Sequence, residues 1–227
     1  MTVTLITGAT KGIGLETARQ LVEAGHVVYV GARDDGRGAA AAASVGARCV
    51  RLDVTDDASV ASALAEIDAA EGRLDVLVNN AGIAEPTLDG PSALRVFDTN
   101  AVGIVRVTEA ALPLLRKAPH PNVVTVSSSA GSFWAATNPE RPEFHLRSAV
   151  YAASKSAATM LTLQYAKAHP DVRFNAVEPG YTATDLTAAL GGGRPPAESA
   201  RVVVRLATLG PDGPTGTLQD EDGELAW

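Results

Sequence analysis

Tyr151 and Lys155 stand four residues apart in the stretch "YAASK". On a helix that interval puts both side chains on one face. A lone tyrosine is a poor acid or base at neutral pH, with an unperturbed pKa of about 10. An ammonium beside it favours the phenolate and brings the group nearer to working range. The pair is therefore a device for moving a proton to or from a reacting oxygen. Alone, Tyr-x-x-x-Lys is also an ordinary feature of amphipathic helices.

A second chemical signal is "TGATKGIG", near the start of the chain. Gly8, Gly12 and Gly14 allow a tight turn and a close ligand approach, and the free N–H groups of a helix start attract a phosphate. Thr10, Lys11 and Ile13 fill the places between them. The spacing is T-G-x-x-x-G-x-G, unlike the usual G-x-G-x-x-G of dinucleotide-binding turns.

The elements that must position these residues alternate along the chain. "VTLIT" is an apolar strand, and Gly12 to Ala24 carries Ile13, Ala18, Leu21 and Val22 at helical spacing. Strand "HVVYVG", a short helix from Gly38 to Val45, strand "ARCVRL", helix Asp56 to Glu71 and strand "LDVLVN" follow. A long helix spans Ser92 to Lys117, with a kink expected at Pro113. Strand "NVVTVS", helix Ser148 to Ala168 and strand "VRFNAV" continue the pattern, and the acidic tail adds one last short strand. Wholly apolar strands separated by helices indicate a parallel sheet covered on both faces. The expected fold is α/β: a single-domain Rossmann fold over residues 1–227, with a doubly wound sheet of about seven strands. Ligands then bind beyond the carboxyl ends of the strands. Residues 181–196, where "GGG" and "PP" interrupt a weak helix, are expected to form a flexible substrate loop.

Composition narrows the partners. The formal net charge is −7 and no basic run occurs, which argues against nucleic acid. The N-terminus carries no recognisable secretion signal, and no stretch approaches the roughly 18 apolar residues of a membrane span, so the cytoplasm is the expected compartment. The single cysteine, Cys49, reads as a buried, unreactive thiol. His26, His120 and His169 read as solvent-exposed residues without metal-ligand spacing, and no metal is expected.

The glycine pattern resembles that of the short-chain dehydrogenase/reductase family, and further family motifs occur in the family's order. "NNAG" follows the fourth strand, "SSSAG" the fifth, "YAASK" opens the next helix, and "PGYTAT" follows the sixth strand. The resemblance covers nearly the whole chain and implies an oxidoreductase in its carbonyl-reductase-like branch. It implies that Tyr151 donates the proton, that Lys155 lowers its pKa and holds the nicotinamide ribose, and that Ser128 donates to the substrate oxygen. Aligning "VSSSAG" with the family pattern selects Ser128 over Ser127 and Ser129; nothing intrinsic to the triplet does. Asn100 would hold a water linking Lys155 to solvent. Asp53 and Val54 would contact the adenine, and Asn80, Ala81 and Gly82 would line the cofactor's other side. After Pro179 and Gly180, Thr182 and Thr184 match contacts to the carboxamide and diphosphate.

The cofactor implied is NADP. A carboxylate at the end of the second strand normally holds the 2′-hydroxyl of NAD. Here the matching position is Ala32, followed by Arg33. A guanidinium there can hold a 2′-phosphate that a carboxylate would repel. Lys11 lies in the turn facing the same ribose. Asp34 and Asp35 leave an alternative, since a register shifted by two would supply a carboxylate. Between Ser128 and Tyr151 the chain is longer than the family norm, and Phe133, Trp134, Phe144 and His145 in that insertion either wall the substrate pocket or pack as a surface excursion. Oligomeric state, monomer or homo-oligomer, stays open. The expected function is NADPH-dependent reduction of a small aldehyde or ketone. Its rivals are an NAD-linked alcohol dehydrogenase and a protein that senses NADP without turnover.

Overall fold

A computed structural model describes residues 1–188 and 191–227. Its sheet is built from β1 (Val3–Thr7), β2 (Val27–Ala32), β3 (Arg48–Arg51), β4 (Val76–Asn79), β5 (Asn122–Val126), β6 (Arg173–Val177) and β7 (Thr217–Gln219). All pairings between these strands are parallel, in the order β3-β2-β1-β4-β5-β6-β7. The order reverses between β1 and β4, the switch point where a doubly wound sheet opens a crevice. β1, β4 and β5 are buried at every residue, because helices cover both faces.

The helices are α1 (Gly12–Glu23), α2 (Asp35–Val45), α3 (Asp57–Glu71), α4 (Gly90–Phe97), α5 (Gly103–Leu115), α6 (Phe133–Thr137), α7 (Ala149–Ala168) and α8 (Pro196–Ala207). One core layer joins Leu5, Leu64, Ile67, Leu77, Leu115 and Phe174 on one face of the sheet. The other joins Ile6, Leu21, Val30, Val78, Val203 and Leu206. Asp34, Asp56 and Asp89 cap α2, α3 and α4 by accepting backbone N–H groups of the first turn. No side chain caps α1.

Several expectations change. The long helix from Ser92 to Lys117 is two helices joined by a π-turn at Asp98–Val102. Pro113 lies inside α5 without ending it. The break falls where one extra residue is accommodated in the turn, and this places Asn100. α8 fills a stretch for which no helix is expected, although Pro196 at its start and Glu198 in its first turn are ordinary helix-start signals. Finally, His26 is half-buried and hydrogen-bonds Thr4 Oγ1 at 2.9 Å, and His169 stacks on Tyr165, so neither is a free surface residue. Cys49 is half-buried rather than fully buried; burial, with Asp35 and Glu66 nearby, pushes its thiol up, which keeps it unreactive. Ala189 and Leu190 of the expected substrate loop lie outside the described residues.

Candidate active site

The glycine-rich turn joins β1 to α1 at the switch point. Gly8 and Gly12 sit at φ 63° and 58°, where side chains are rarely tolerated. A Cβ on Gly14 would stand 2.4 Å from Asn80 Nδ2 and 2.9 Å from Ala9 Cα. That bare site lets the Asn80 amide reach in and donate to the carbonyls of Thr7 (2.8 Å) and Gly8 (3.1 Å). Thr7 Oγ1 in turn accepts the N–H groups of Asn80 and Ala81, each at 3.0 Å. "NNAG" therefore braces the turn from behind, and the Asn80 side chain is spent there rather than facing the crevice. With the first turn of α1 uncapped, the turn fits a diphosphate.

At the far end of the crevice, Arg33 is exposed just beyond β2, and a cleft of about 290 Å³ lies between Arg33, Arg51, Asp53 and Ser59. Asp34, the next residue, accepts Arg37 N at 2.8 Å with its Oδ1 as the cap of α2. Burial pushes the Asp53 carboxyl up, but hydrogen bonds from Thr55 and the charge of Arg33 outweigh it and hold the group below its ordinary range. Val54 is buried against Gly103, and its carbonyl accepts from Arg106. Lys11 is exposed and pairs with Asp185, on the segment after β6. Thr184 comes to the same turn, its Cγ2 standing 3.3 Å from the position of a Cβ on Gly12. Thr182 does not: it is buried, and its hydroxyl is shared between Gly180 O at 2.8 Å and Ser199 Oγ at 2.5 Å.

The proton-handling residues meet beyond β5. The structure separates three serines that look equivalent in sequence. Ser127 Oγ points into the body, bonded to Lys155 O at 3.1 Å and Thr159 Oγ1 at 2.6 Å. The Ser129 hydroxyl meets the Glu143 carboxylate of the insertion. The Ser128 hydroxyl stands beside Tyr151 and favours its phenolate. A Cβ on Gly131 would overlap the backbone of Lys155 and Ser156 at 2.5 and 2.6 Å, so this glycine is what lets the serine turn press onto α7.

Burial pushes the Tyr151 phenol up to about 12, the charge of Glu178 adds to this, and the Ser128 hydroxyl opposes it. Burial pulls the Lys155 ammonium down to about 8, against the charge of Glu178. Lys155 Nζ lies 5.7 Å from the Tyr151 ring centroid and donates to Val126 O at 2.7 Å. Of the influences on Tyr151, desolvation is the largest. Asn100 is buried; its amide donates to Ile83 O (2.8 Å) and Ser154 Oγ (3.0 Å), and its Oδ1 accepts Ile83 N at 2.8 Å. Asn100 Oδ1 and Lys155 Nζ both stand 3.5 Å from the position of a Cβ on Gly82. Glycine leaves that small space open between them.

The insertion folds as α6 and a 3₁₀ turn at Pro142–His145. It is fastened to the last residues of the chain through Ser132 Oγ to Ala226 O (2.7 Å) and Trp134 N to Trp227 O (2.9 Å). Arg141 lies over the Trp134 ring, while Phe133 is 74% exposed and Phe144 46%. Sequence reasoning missed Gly131, Glu143, Glu178 and Asp185; "EPG" carries a carboxylate at a strand end, which was the one visible signal for Glu178.

Comparison with known proteins agrees with this geometry. The family model for short chain dehydrogenases matches residues 2–194. The chain is 31% identical to (−)-isopiperitenone reductase of Mentha piperita, over 98% of this chain and 97% of that protein. Among solved structures, salutaridine reductase from Papaver somniferum superposes with a TM-score of 0.85 at 27% identity, over 96% of this chain and 99% of that one. NADPH-bound carbonyl reductase from chicken fatty liver superposes with a TM-score of 0.87 at 25% identity, over the whole of both chains (100% and 100%). The chain belongs to the short-chain dehydrogenase family of nicotinamide-dependent oxidoreductases.

Proposed function

We propose that the protein is an NADPH-dependent carbonyl reductase that converts an aldehyde or ketone to the alcohol. The observation that carries this reading is the meeting of Ser128, Tyr151 and Lys155 beyond β5, with the phenol held protonated at about 12. The bound nicotinamide would supply a hydride to the carbonyl carbon. Tyr151 gives its proton to the carbonyl oxygen as charge develops there. Ser128 Oγ accepts Ala130 N at 3.2 Å, so its own proton is free to turn from Tyr151 to the substrate oxygen. Lys155 has donors left beyond its bond to Val126 O, and these would hold the nicotinamide ribose. A water in the gap beside Gly82 would join Lys155 to Asn100.

NADP over NAD is supported by Arg33 at the end of β2 and by the use of Asp34 as a cap. Lys11 supports it less, because Asp185 competes for it. Gly8, Gly12 and the uncapped N-terminus of α1 would hold the diphosphate, with Thr184 closing over it. The salutaridine, isopiperitenone and chicken-liver relatives are named as reductases, which favours the reducing direction. A protein that only senses NADP has no use for a buried phenol set beside a serine and a lysine. The cytoplasm remains the expected compartment on sequence grounds alone. The test is turnover of a panel of aldehydes, α-diketones and cyclic ketones with NADPH and then NADH. Turnover with NADH alone would overturn the cofactor assignment, and binding without turnover of any substrate would favour the sensor.

A further inference from the structure

Glu178 is the last residue before Pro179, directly beyond β6, and only 9% exposed. Its Oε1 accepts Gly180 N at 2.6 Å, and its Oε2 accepts Ser129 N. The backbone on either side is already fixed to the sheet, with Glu178 N on Gln219 O at 2.7 Å and Ser127 N on Val177 O at 2.8 Å. One carboxylate thus joins two segments: the turn that presents Ser128 and the Pro179–Gly180 corner. A buried carboxylate is costly unless hydrogen-bonded, and a strand end does not need one.

We propose that Glu178 is a positioning residue for the reduction: its carboxylate ties the Ser128 turn to the Pro179–Gly180 corner and sets the spacing between them. The carboxylate touches neither Tyr151 nor Lys155 by hydrogen bond, so it acts on them through space and through Ser129. Other charged groups around it are already committed. Glu143, from the insertion, is engaged by the Ser129 hydroxyl and Arg141. Arg194, beyond the same corner, binds Pro179 O at 3.1 Å and pairs with Glu221. Asp98, in the π-turn packed on α7, is paired with Arg106. Glu178 alone therefore opposes the burial of Lys155, and the ordinary direction of its influence agrees: it raises both Lys155 and Tyr151.

This inference rests on the reductase reading for its meaning but can be tested apart from it. The chain has four lysines, Lys11, Lys117, Lys155 and Lys167, so carbon NMR of protein labelled at lysine Cε resolves each, with Lys155→Arg assigning the signal. Removing this opposite charge should lower the Lys155 midpoint by roughly 1 unit in Glu178→Gln. The alkaline limb of kcat/KM for reduction should move to lower pH by the same amount, while Glu178→Asp keeps the midpoint and lowers only kcat. A Glu178→Gln protein with unchanged kcat and an unmoved Lys155 midpoint would overturn the proposal. If that variant does not fold, Glu178→Ser serves as a second neutral replacement. A wild-type enzyme inactive on every substrate, with a Lys155 midpoint that still falls in Glu178→Gln, would refute the reductase reading and leave the role of Glu178 standing.

Discussion

Replacing each of the three consecutive serines by alanine should have three different consequences. Ser128→Ala removes the donor beside Tyr151, and loss of one such donor at a developing oxyanion costs about 100- to 1,000-fold in kcat. Its only other bond is the local one from Ala130 N at 3.2 Å, so stability should fall by no more than about 1 kcal/mol. Ser127→Ala leaves the Lys155 carbonyl and the Thr159 hydroxyl without their buried partner at 3.1 and 2.6 Å. That should cost about 1–3 kcal/mol of stability, since buried groups are left unsatisfied. For a chain of this length the cost is a fall in Tm of roughly 2–4 °C per kcal/mol. Ser127→Ala should keep kcat within about tenfold, because its hydroxyl never reaches the crevice. Ser129→Ala leaves Glu143 held by Arg141 alone and loosens the insertion, so it should raise KM more than it lowers kcat. The assay is steady-state reduction with NADPH, alongside thermal melts of each variant. A larger kcat loss in Ser127→Ala than in Ser128→Ala would refute the assignment.

Other outcomes follow from the same geometry. Arg33→Ala should raise KM for NADPH about tenfold or more and barely change that for NADH, whereas Asp185→Asn should lower KM for NADPH by releasing Lys11; initial-rate kinetics with both cofactors checks each. Gly14→Ala should drive the Asn80 amide from the Thr7 and Gly8 carbonyls and destabilise the fold by about 1–3 kcal/mol, read by urea unfolding and by the Kd for NADPH. The kcat/KM profile for reduction reports the free enzyme, so it should fall as pH rises through about 8, where Lys155 loses its proton, while Tyr151, held at about 12, is still a phenol. The sign is fixed by burial: Lys155 is depressed below its ordinary value, so its charged form is lost earlier on the way up. Lys155→Arg should move that limb to higher pH.

Much of this arrangement was legible in the residues. Apolar runs such as "VTLIT" and "NVVTV" can be buried on both faces only in a parallel sheet, so the alternation of strands and helices gave the architecture. Motifs at strand ends then brought the glycine turn, Ser128 and Tyr151 to one edge. What stayed hidden depends on which way a side chain turns. Asn80 and Thr182 belong to recognisable motifs, yet both spend their polar atoms on backbone and neighbours rather than on the crevice. The π-turn that seats Asn100 is marked by no proline or glycine, because an extra residue in a helix needs none at the bulge. Lys155 and Tyr151 at helical spacing say nothing of how deeply both are buried, and burial decides their proton affinities here.

The central claim is that Tyr151 delivers the proton during carbonyl reduction. The direct measurement compares wild type with Tyr151→Phe, using NADPH and a carbonyl substrate that the wild type turns over. NADPH binding is followed in parallel by fluorescence. The account predicts a loss of about 100- to 10,000-fold in kcat with an unchanged Kd for NADPH. Full activity in Tyr151→Phe would contradict it.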